Sequence, residues 1–338
     1  MRLEDVRQRL RSAGAGPRHE TLALRAWVRG MALDALAQKK NSAFPKTLIA
    51  ELSTIQSELA NLAHVRSEHA GEDGSARFVL ELPDGQTIES VLLPNDGVCV
   101  SSQAGCAVGC TFCMTGTLGL LRQLGSAEIV AQVALARSRR TIRRVVFMGM
   151  GEPAHNLENV MEAIELFGTE GALGHKNLVF STVGDRRVFE RLPQGPVKPA
   201  LALSLHTTKA DLRAELLPRA QKFDPAELIE LAQSYSRATT YPIQYQWTLL
   251  AGINDGDDEL DRLAELLRGH YAMVNFILWN QVDGLPHTRT PVERAREIIR
   301  GMMQRGVLAK LRVSAGQDVD GGCGQLRARE LSRPRETS

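Results

Sequence analysis

From residue 98 onward the chain repeats one unit, a short apolar run followed by an amphipathic segment. "VCVSS", "VVFMGMG", "NLVFSTVG", "ALALSLH", "IQYQWTLL", "VNFILWN" and "AKLRVSAG" are the strand-like runs. Between them "LENVMEAIELFG", "PAELIELAQSYSRA", "DELDRLAELLRGH" and "VERAREIIRGMMQRG" place apolar residues three and four apart, the spacing of one helix face. Strands separated by helices predict a parallel sheet with crossover helices. Six or seven such units fall short of the eight that close a barrel, so a partial barrel and a wide open sheet both fit. In either architecture the C-terminal ends of the strands carry the chemistry.

The region before residue 98 reads differently. Residues 1–70 read as helices, among them "LEDVRQRLRSAG", "TLALRAWVRGMALDALAQ" and "FPKTLIAELSTIQSELANLA". "ARFVLELPDGQTIESVLLP" reads as a β-hairpin turning at Pro83-Asp84-Gly85. A chain of 338 residues, 43% hydrophobic, can build one large α/β domain with a small appendage. No apolar run approaches the roughly 20 residues of a membrane-spanning helix, and "MRLEDVRQRLRSAG" lacks the apolar stretch of a secretory signal. A cytoplasmic protein is therefore expected, where a cysteine cluster means a metal more often than a disulfide. Net charge is only +2, but Arg137, Arg139, Arg140, Arg143 and Arg144 crowd one run. That run is either a solvated helix end or a phosphate-facing patch. Residues 328–338 read as a disordered tail.

Four of the five cysteines fall in "GVCVSSQAGCAVGCTFCMTGTLG". Cys106, Cys110 and Cys113 form C-x3-C-x2-C on the loop after the first strand-like run. Three thiolates so placed can hold three irons of a cubane cluster and leave the fourth iron open to a small chelating ligand. In the radical-SAM superfamily that ligand is S-adenosylmethionine, and this spacing, with an aromatic residue (Phe112) before the last cysteine, is its signature. The alternative is a zinc site with Cys99 as fourth ligand, although zinc sites favour paired C-x2-C units.

One unit later, "FMGMGEP" ends a strand. Gly149 and Gly151 allow a tight turn and close approach, and Glu152 offers a carboxylate to an ammonium group. Ser181, Ser204, His206 and Asn280 sit at further strand ends, where a ribose or carboxylate would need polar groups. Each is also explained as a strand-end cap, and His206 as a structural histidine. Cys99 and Cys323 are surplus to the cluster. Cys323 lies in "GQDVDGGCGQL", whose glycines predict a mobile, sterically open loop.

"CVSSQAGCAVGCTFC", "GMGEP", "STVG", "SLH", "IND", "WN" and "GGCGQL" follow one another within residues 76–327. Together they resemble the RlmN/Cfr family of radical-SAM RNA adenosine methyltransferases. The resemblance implies an α/β fold, a partial (β/α)6-type radical-SAM barrel over residues 97–327. It adds a small helical accessory RNA-binding domain over 1–72 and a β-hairpin over 76–96 leading into the core. It implies one 4Fe-4S cluster on Cys106, Cys110 and Cys113, with an open iron for S-adenosylmethionine, of which two molecules are used per turnover. Gly151, Glu152, Ser181, Ser204, Leu205, His206 and Asn280 become contacts of that cofactor.

The same resemblance gives the surplus cysteines roles. Cys323 takes a methyl group from one S-adenosylmethionine. A radical from a second removes hydrogen from that S-methyl group, and the resulting carbon radical adds to an adenine ring. Glu89 accepts the ring proton, and Cys99 releases the tethered product through a transient disulfide with Cys323. The implied target is carbon 2 of an adenosine in 23S rRNA or tRNA, with carbon 8 or a non-RNA substrate as alternatives. Implied partners are RNA and an electron donor such as flavodoxin or ferredoxin, with no membrane and a monomeric state. Arg137 to Arg144, Lys39, Lys40, Lys46, Arg186 and Arg187 are the candidate phosphate contacts. The chain departs from the family at Gln123, where Asn is common, and in most of the N-terminal helices.

Overall fold

The computed structural model describes residues 1–37, 44–282 and 284–327, so Lys39, Lys40 and the segment 328–338 lie outside the described residues. In chain order the strands are β1 (His64–Ala70), β2 (Ala76–Glu81), β3 (Thr87–Leu93), β4 (Gly97–Cys99), β5 (Gln103–Gly105) and β6 (Leu120–Gln123). They continue with β7 (Arg144–Phe147), β8 (Leu178–Thr182), β9 (Ala200–Ser204), β10 (Ile243–Leu249), β11 (Ala272–Leu278) and β12 (Ala309–Arg312). Ten of them form one sheet in the order β1-β2-β3-β4-β7-β8-β9-β10-β11-β12. Every pairing from β4 to β12 is parallel. Each crossover thus advances one place in the same direction, which curls a sheet toward a barrel instead of winding it both ways. No ladder joins β12 back to β1, so the barrel is partial, as expected. The central parallel strands carry apolar runs because both faces are covered: Leu178, Val179, Phe180, Leu201, Ala202 and Leu203 are all fully buried.

β2 and β3 make the expected hairpin. β1 does not match the helical reading of residues 1–70, since His64–Ala70 pairs antiparallel with β2. "HVRSEHA" alternates exposed and half-buried side chains along a sheet edge. An edge strand covered so lightly carries no apolar signal to read. The helices Leu3–Ser12, Pro17–Val28 and Lys46–Ala60 pack on the helix Ser126–Arg139. Leu3, Leu24 and Val28 belong to the same apolar core as Val130, Val145 and Phe180.

Two further features set up the site. β5 and β6 pair antiparallel and pinch the neck of the cysteine loop, where Cys106 N donates to Gly119 O at 2.8 Å. Past β12, the C-terminal arm crosses the open side of the barrel to reach the antiparallel strands. Gly316 N donates to Asp73 Oδ2 at 3.0 Å, Glu72 N to Asp318 Oδ2 at 2.9 Å and Arg327 N to Glu89 Oε2 at 2.9 Å. Among the described residues no helix is long and apolar enough to cross a membrane.

Candidate active site

A cleft opens at the C-terminal ends of the parallel strands, where α/β folds of this kind place their ligands. Cys106, Cys110 and Cys113 line it together with Gly151, Glu152, Ser181, Ser204, His206 and Cys323. The loop therefore brings its three thiols to one ligand space. Burial pushes the Cys106 thiol up to about 12, and burial followed by the neighbouring thiols pushes Cys110 well above its ordinary value. Without a metal these groups stay protonated, and iron binding would displace their protons. Three soft thiolate donors around one cavity suit an iron-sulfur cluster. Cys99 does not join them; it lies on β4 in a smaller hollow, which removes the fourth ligand of the zinc reading.

Glu152 is buried, and its carboxylate accepts from Ala154 N at 3.0 Å and Val183 N at 2.9 Å. Burial still raises its pKa, so an ammonium group arriving in the cleft would find a carboxylate that gains from pairing. Gly151 has φ +102, and a Cβ there would lie 2.6 Å from Gln103 Cβ, so the turn can carry only glycine. Gln103 Oε1 accepts from Glu152 N at 2.7 Å, and Gln103 Nε2 donates to Gln123 Oε1 at 2.9 Å. Gln123 in turn donates to His155 O at 3.0 Å, so the family departure at this position is a working link between the loop neck and the Glu152 turn.

His206 holds φ +66, uncommon for a non-glycine residue and characteristic of functional turns. Asn254, fully buried, maintains it: its Nδ2 donates to His206 O at 2.7 Å and to Thr248 O at 2.8 Å. His206 Nδ1 accepts from Thr248 N at 3.0 Å, which leaves the ring proton on Nε2. Burial, then the charge of Arg213, lowers its pKa to about 3. The ring is a neutral donor at any physiological pH, with its edge against Phe112 at 4.8 Å.

Two expected cofactor contacts do not line the cleft. Leu205 is fully buried in the core. Asn280 donates to Ser314 Oγ at 3.0 Å and Cys323 O at 2.9 Å, so its side chain fastens the arm. The expected open, mobile loop around Cys323 is also corrected. Met114 N donates to Gly324 O at 2.8 Å and Thr115 Oγ1 to Leu326 O at 2.6 Å. A Cβ on Gly322 would lie 2.5 Å from Gln325 Oε1 and 2.8 Å from Asn280 Nδ2, so glycine here permits close packing, not mobility.

Cys99 and Cys323 line the same hollow, together with Arg312 and Met148. All five cysteines are free thiols. Burial, then the nearby Cys323, pushes Cys99 up to about 12, and Arg312 pulls the other way. Arg312 lines both the hollow and the main cleft. Glu89 is fully buried on β3, paired with Arg77 and accepting from Arg327 N. Its backbone accepts from Ser101 Oγ at 2.5 Å, and Ser90 Oγ donates to Cys99 O at 2.8 Å, so it sits beside the Cys99 strand rather than in the cleft.

The phosphate-contact reading of the arginine run is corrected in part. Arg137 Nη1 donates to Val28 O at 3.1 Å and Gly171 O at 2.9 Å, and Arg140 Nη1 to Gly74 O at 3.0 Å. The run precedes β7, at the strand ends away from the cleft. Arg186 pairs with Glu227 and Arg187 with Asp185. Gln103, Asn254 and Arg312 lie within "CVSSQAGCAVGCTFC", "IND" and "AKLRVSAG", but nothing in the sequence marks the partners each one holds.

Residues 100–267 match the model of the radical SAM superfamily. The chain is 66% identical over 332 residues to a probable RNA methyltransferase of Aromatoleum aromaticum, covering 98% of this chain and 94% of that protein. It is 63% identical to a probable RNA methyltransferase of Leptothrix cholodnii, covering 98% and 96%. Among solved structures it resembles a radical SAM methyltransferase from Sphaerobacter thermophilus, with TM-score 0.84, 35% identity and coverage of 97% and 98%. With its cysteine loop, Glu152 turn and partial barrel in place, the chain belongs to the radical SAM superfamily, in the family that these probable RNA methyltransferases make up.

Proposed function

We propose that this protein is an RNA methyltransferase that methylates a ring carbon of adenosine, carbon 2 in 23S rRNA or tRNA, through an S-methylcysteine at Cys323. Cys106, Cys110 and Cys113 hold one 4Fe-4S cluster; Glu152 takes the methionine ammonium of S-adenosylmethionine, and Ser181, Ser204 and His206 orient the rest. When bound, the cluster and S-adenosylmethionine supply the methyl group and the radical chemistry, with the electron coming from a donor such as flavodoxin or ferredoxin. The single observation that carries the reading is that Cys323 lines both the cleft and the hollow that contains Cys99. A thiol that must first accept a methyl group and later be released by exchange needs both neighbours.

In this scheme the Cys99 thiolate, favoured by Arg312, attacks the Cys323 sulfur. The Cys99–Cys323 disulfide forms as the bond from that sulfur to the tethered methylene breaks, and its electron pair stays on the carbon, which takes a proton to become the methyl group. Glu89 accepts the ring proton once Arg327 N releases its Oε2, so base and carrier are linked through one arm. The adenine leaves its stack to reach the cleft.

The test is mass spectrometry of protein purified anaerobically from cells, followed by nucleoside analysis of its RNA. The expected result is one added methyl group on Cys323, 2-methyladenosine in the RNA, and loss of both in Cys323→Ala with the iron retained. An unmodified Cys323 in iron-loaded protein supplied with S-adenosylmethionine refutes the carrier role. Finding 8-methyladenosine moves the target to carbon 8, and unmodified RNA favours a non-RNA substrate.

A further inference from the structure

The helix Ala210–Leu216 lies directly against the cysteine loop. Thr111 N donates to Leu216 O at 3.0 Å, and just past the helix Arg219 N donates to Val108 O at 3.1 Å. Leu216, Leu217, Val108, Phe112 and Cys106 pack in one apolar cluster. Inside this wall sits Arg213, only 3% exposed. Its Nη2 donates to Val183 O and, at 3.4 Å, to Ser204 O, while its Nε has no hydrogen-bond partner. Among the described residues its contacts are carbonyl oxygens, with no carboxylate paired to it.

A buried cation without a counter-charge is costly, so proteins retain one where an anion arrives. The charges that act on Arg213 from nearby are those of Cys110 and Glu152. Glu152 has its oxygens on backbone amides and faces the cleft. Arg213 does not line the cleft, so it meets no ligand there directly. The thiols are neutral while protonated. Loading a cluster converts three of them to thiolates and leaves a net negative charge, which grows by one when the cluster gains an electron.

We infer that Arg213 is the counter-charge of the iron-sulfur cluster, a positioning residue that offsets its thiolates and eases its one-electron reduction through the wall of the site. The inference rests on the reading that Cys106, Cys110 and Cys113 hold that cluster.

The test is a potentiometric titration of the reconstituted full-length holoenzyme with dithionite and mediators, followed by electron paramagnetic resonance of the reduced cluster. Wild type, Arg213→Gln and Arg213→Lys are compared, each with and without S-adenosylmethionine. The expected result is a lower midpoint in Arg213→Gln by at least about 59 mV, tenfold for one electron, with at least half recovered in Arg213→Lys. Failure of Arg213→Gln to hold iron while Arg213→Lys holds it also supports the charge role. Equal midpoints overturn the inference, as does a shift that appears only with S-adenosylmethionine, which would put the charge on that molecule's carboxylate. Loss of iron from both variants in folded protein makes the requirement one of shape and overturns it too. A wild type that assembles no 4Fe-4S cluster refutes the ligand reading itself, and the inference with it.

Discussion

The cysteine trio and the cysteine pair are built in opposite ways. Cys106, Cys110 and Cys113 share one loop, pinched at its neck by β5 and β6 and exposed to a cleft. Cys99 and Cys323 come from the first parallel strand and the C-terminal arm, and meet in a hollow too small for a cofactor. The trio is organised for a ligand that stays. The pair shares a hollow that Met148 and Arg312 also line, and under the proposed function it serves a reaction between two protein sulfurs. Of the five thiols only Cys323 lines both spaces, so the proposed metal set and the proposed exchange pair meet at that one residue.

The sharpest way to break this comparison is Cys110→Ala. It removes one of three thiolates, so iron content and the visible absorption of the cluster fall to background and methylation becomes undetectable, while Cys99 and Cys323 remain free thiols by alkylation assay. Retained cluster absorption would show that the trio is not the ligand set. Cys99→Ala strikes the other half: iron stays, but each enzyme completes at most one addition and stays covalently joined to its RNA. A gel assay under denaturing conditions reads the adduct, and full multiple turnover in this variant would sink the exchange role.

Smaller effects sharpen the contrast. His206, with a pKa near 3 against an ordinary 6.5, resists the proton that the unfolded chain accepts. Its contribution to stability is complete above pH 6.5 and is lost as pH falls toward 3, by at most about 1.4 kcal/mol per pH unit. His206→Gln should therefore flatten the acid limb of a urea-midpoint profile between pH 7 and 4; an unchanged slope would contradict the assignment. Asn280→Ala removes two hydrogen bonds from the arm, a loss of about 1–3 kcal/mol. Faster alkylation of Cys323 with unchanged iron content is expected, and the reverse pattern would return Asn280 to the cofactor.

What was legible follows the same division. The parallel strands could be read because both faces are buried, so they carry runs of consecutive apolar residues, as in Leu178, Val179 and Phe180. The trio could be read because its ligands are local. Nothing local marks the pair, and only the resemblance joined Cys99 to Cys323. Gln103 and Asn254 act through side-chain hydrogen bonds and Arg213 through a buried charge, which leave no periodic trace. β1 escaped because an edge strand need not be apolar, and the arginine run misled because a guanidinium that reaches a carbonyl oxygen looks, in sequence, like one that faces water. Glu89 was legible as a carboxylate on a strand; its pairing with Arg77 was not.

Among the described residues, the arm that crosses the open side of the barrel follows every strand. During synthesis the sheet, the loop with its three thiols and the Glu152 turn all leave the ribosome before it. A nascent chain halted at residue 312 therefore has the three loop thiols and the Glu152 turn but lacks Cys323, the thiol proposed to carry the methyl group. If Cys323 is the carrier, competence to begin the reaction arrives last, with the arm that holds it.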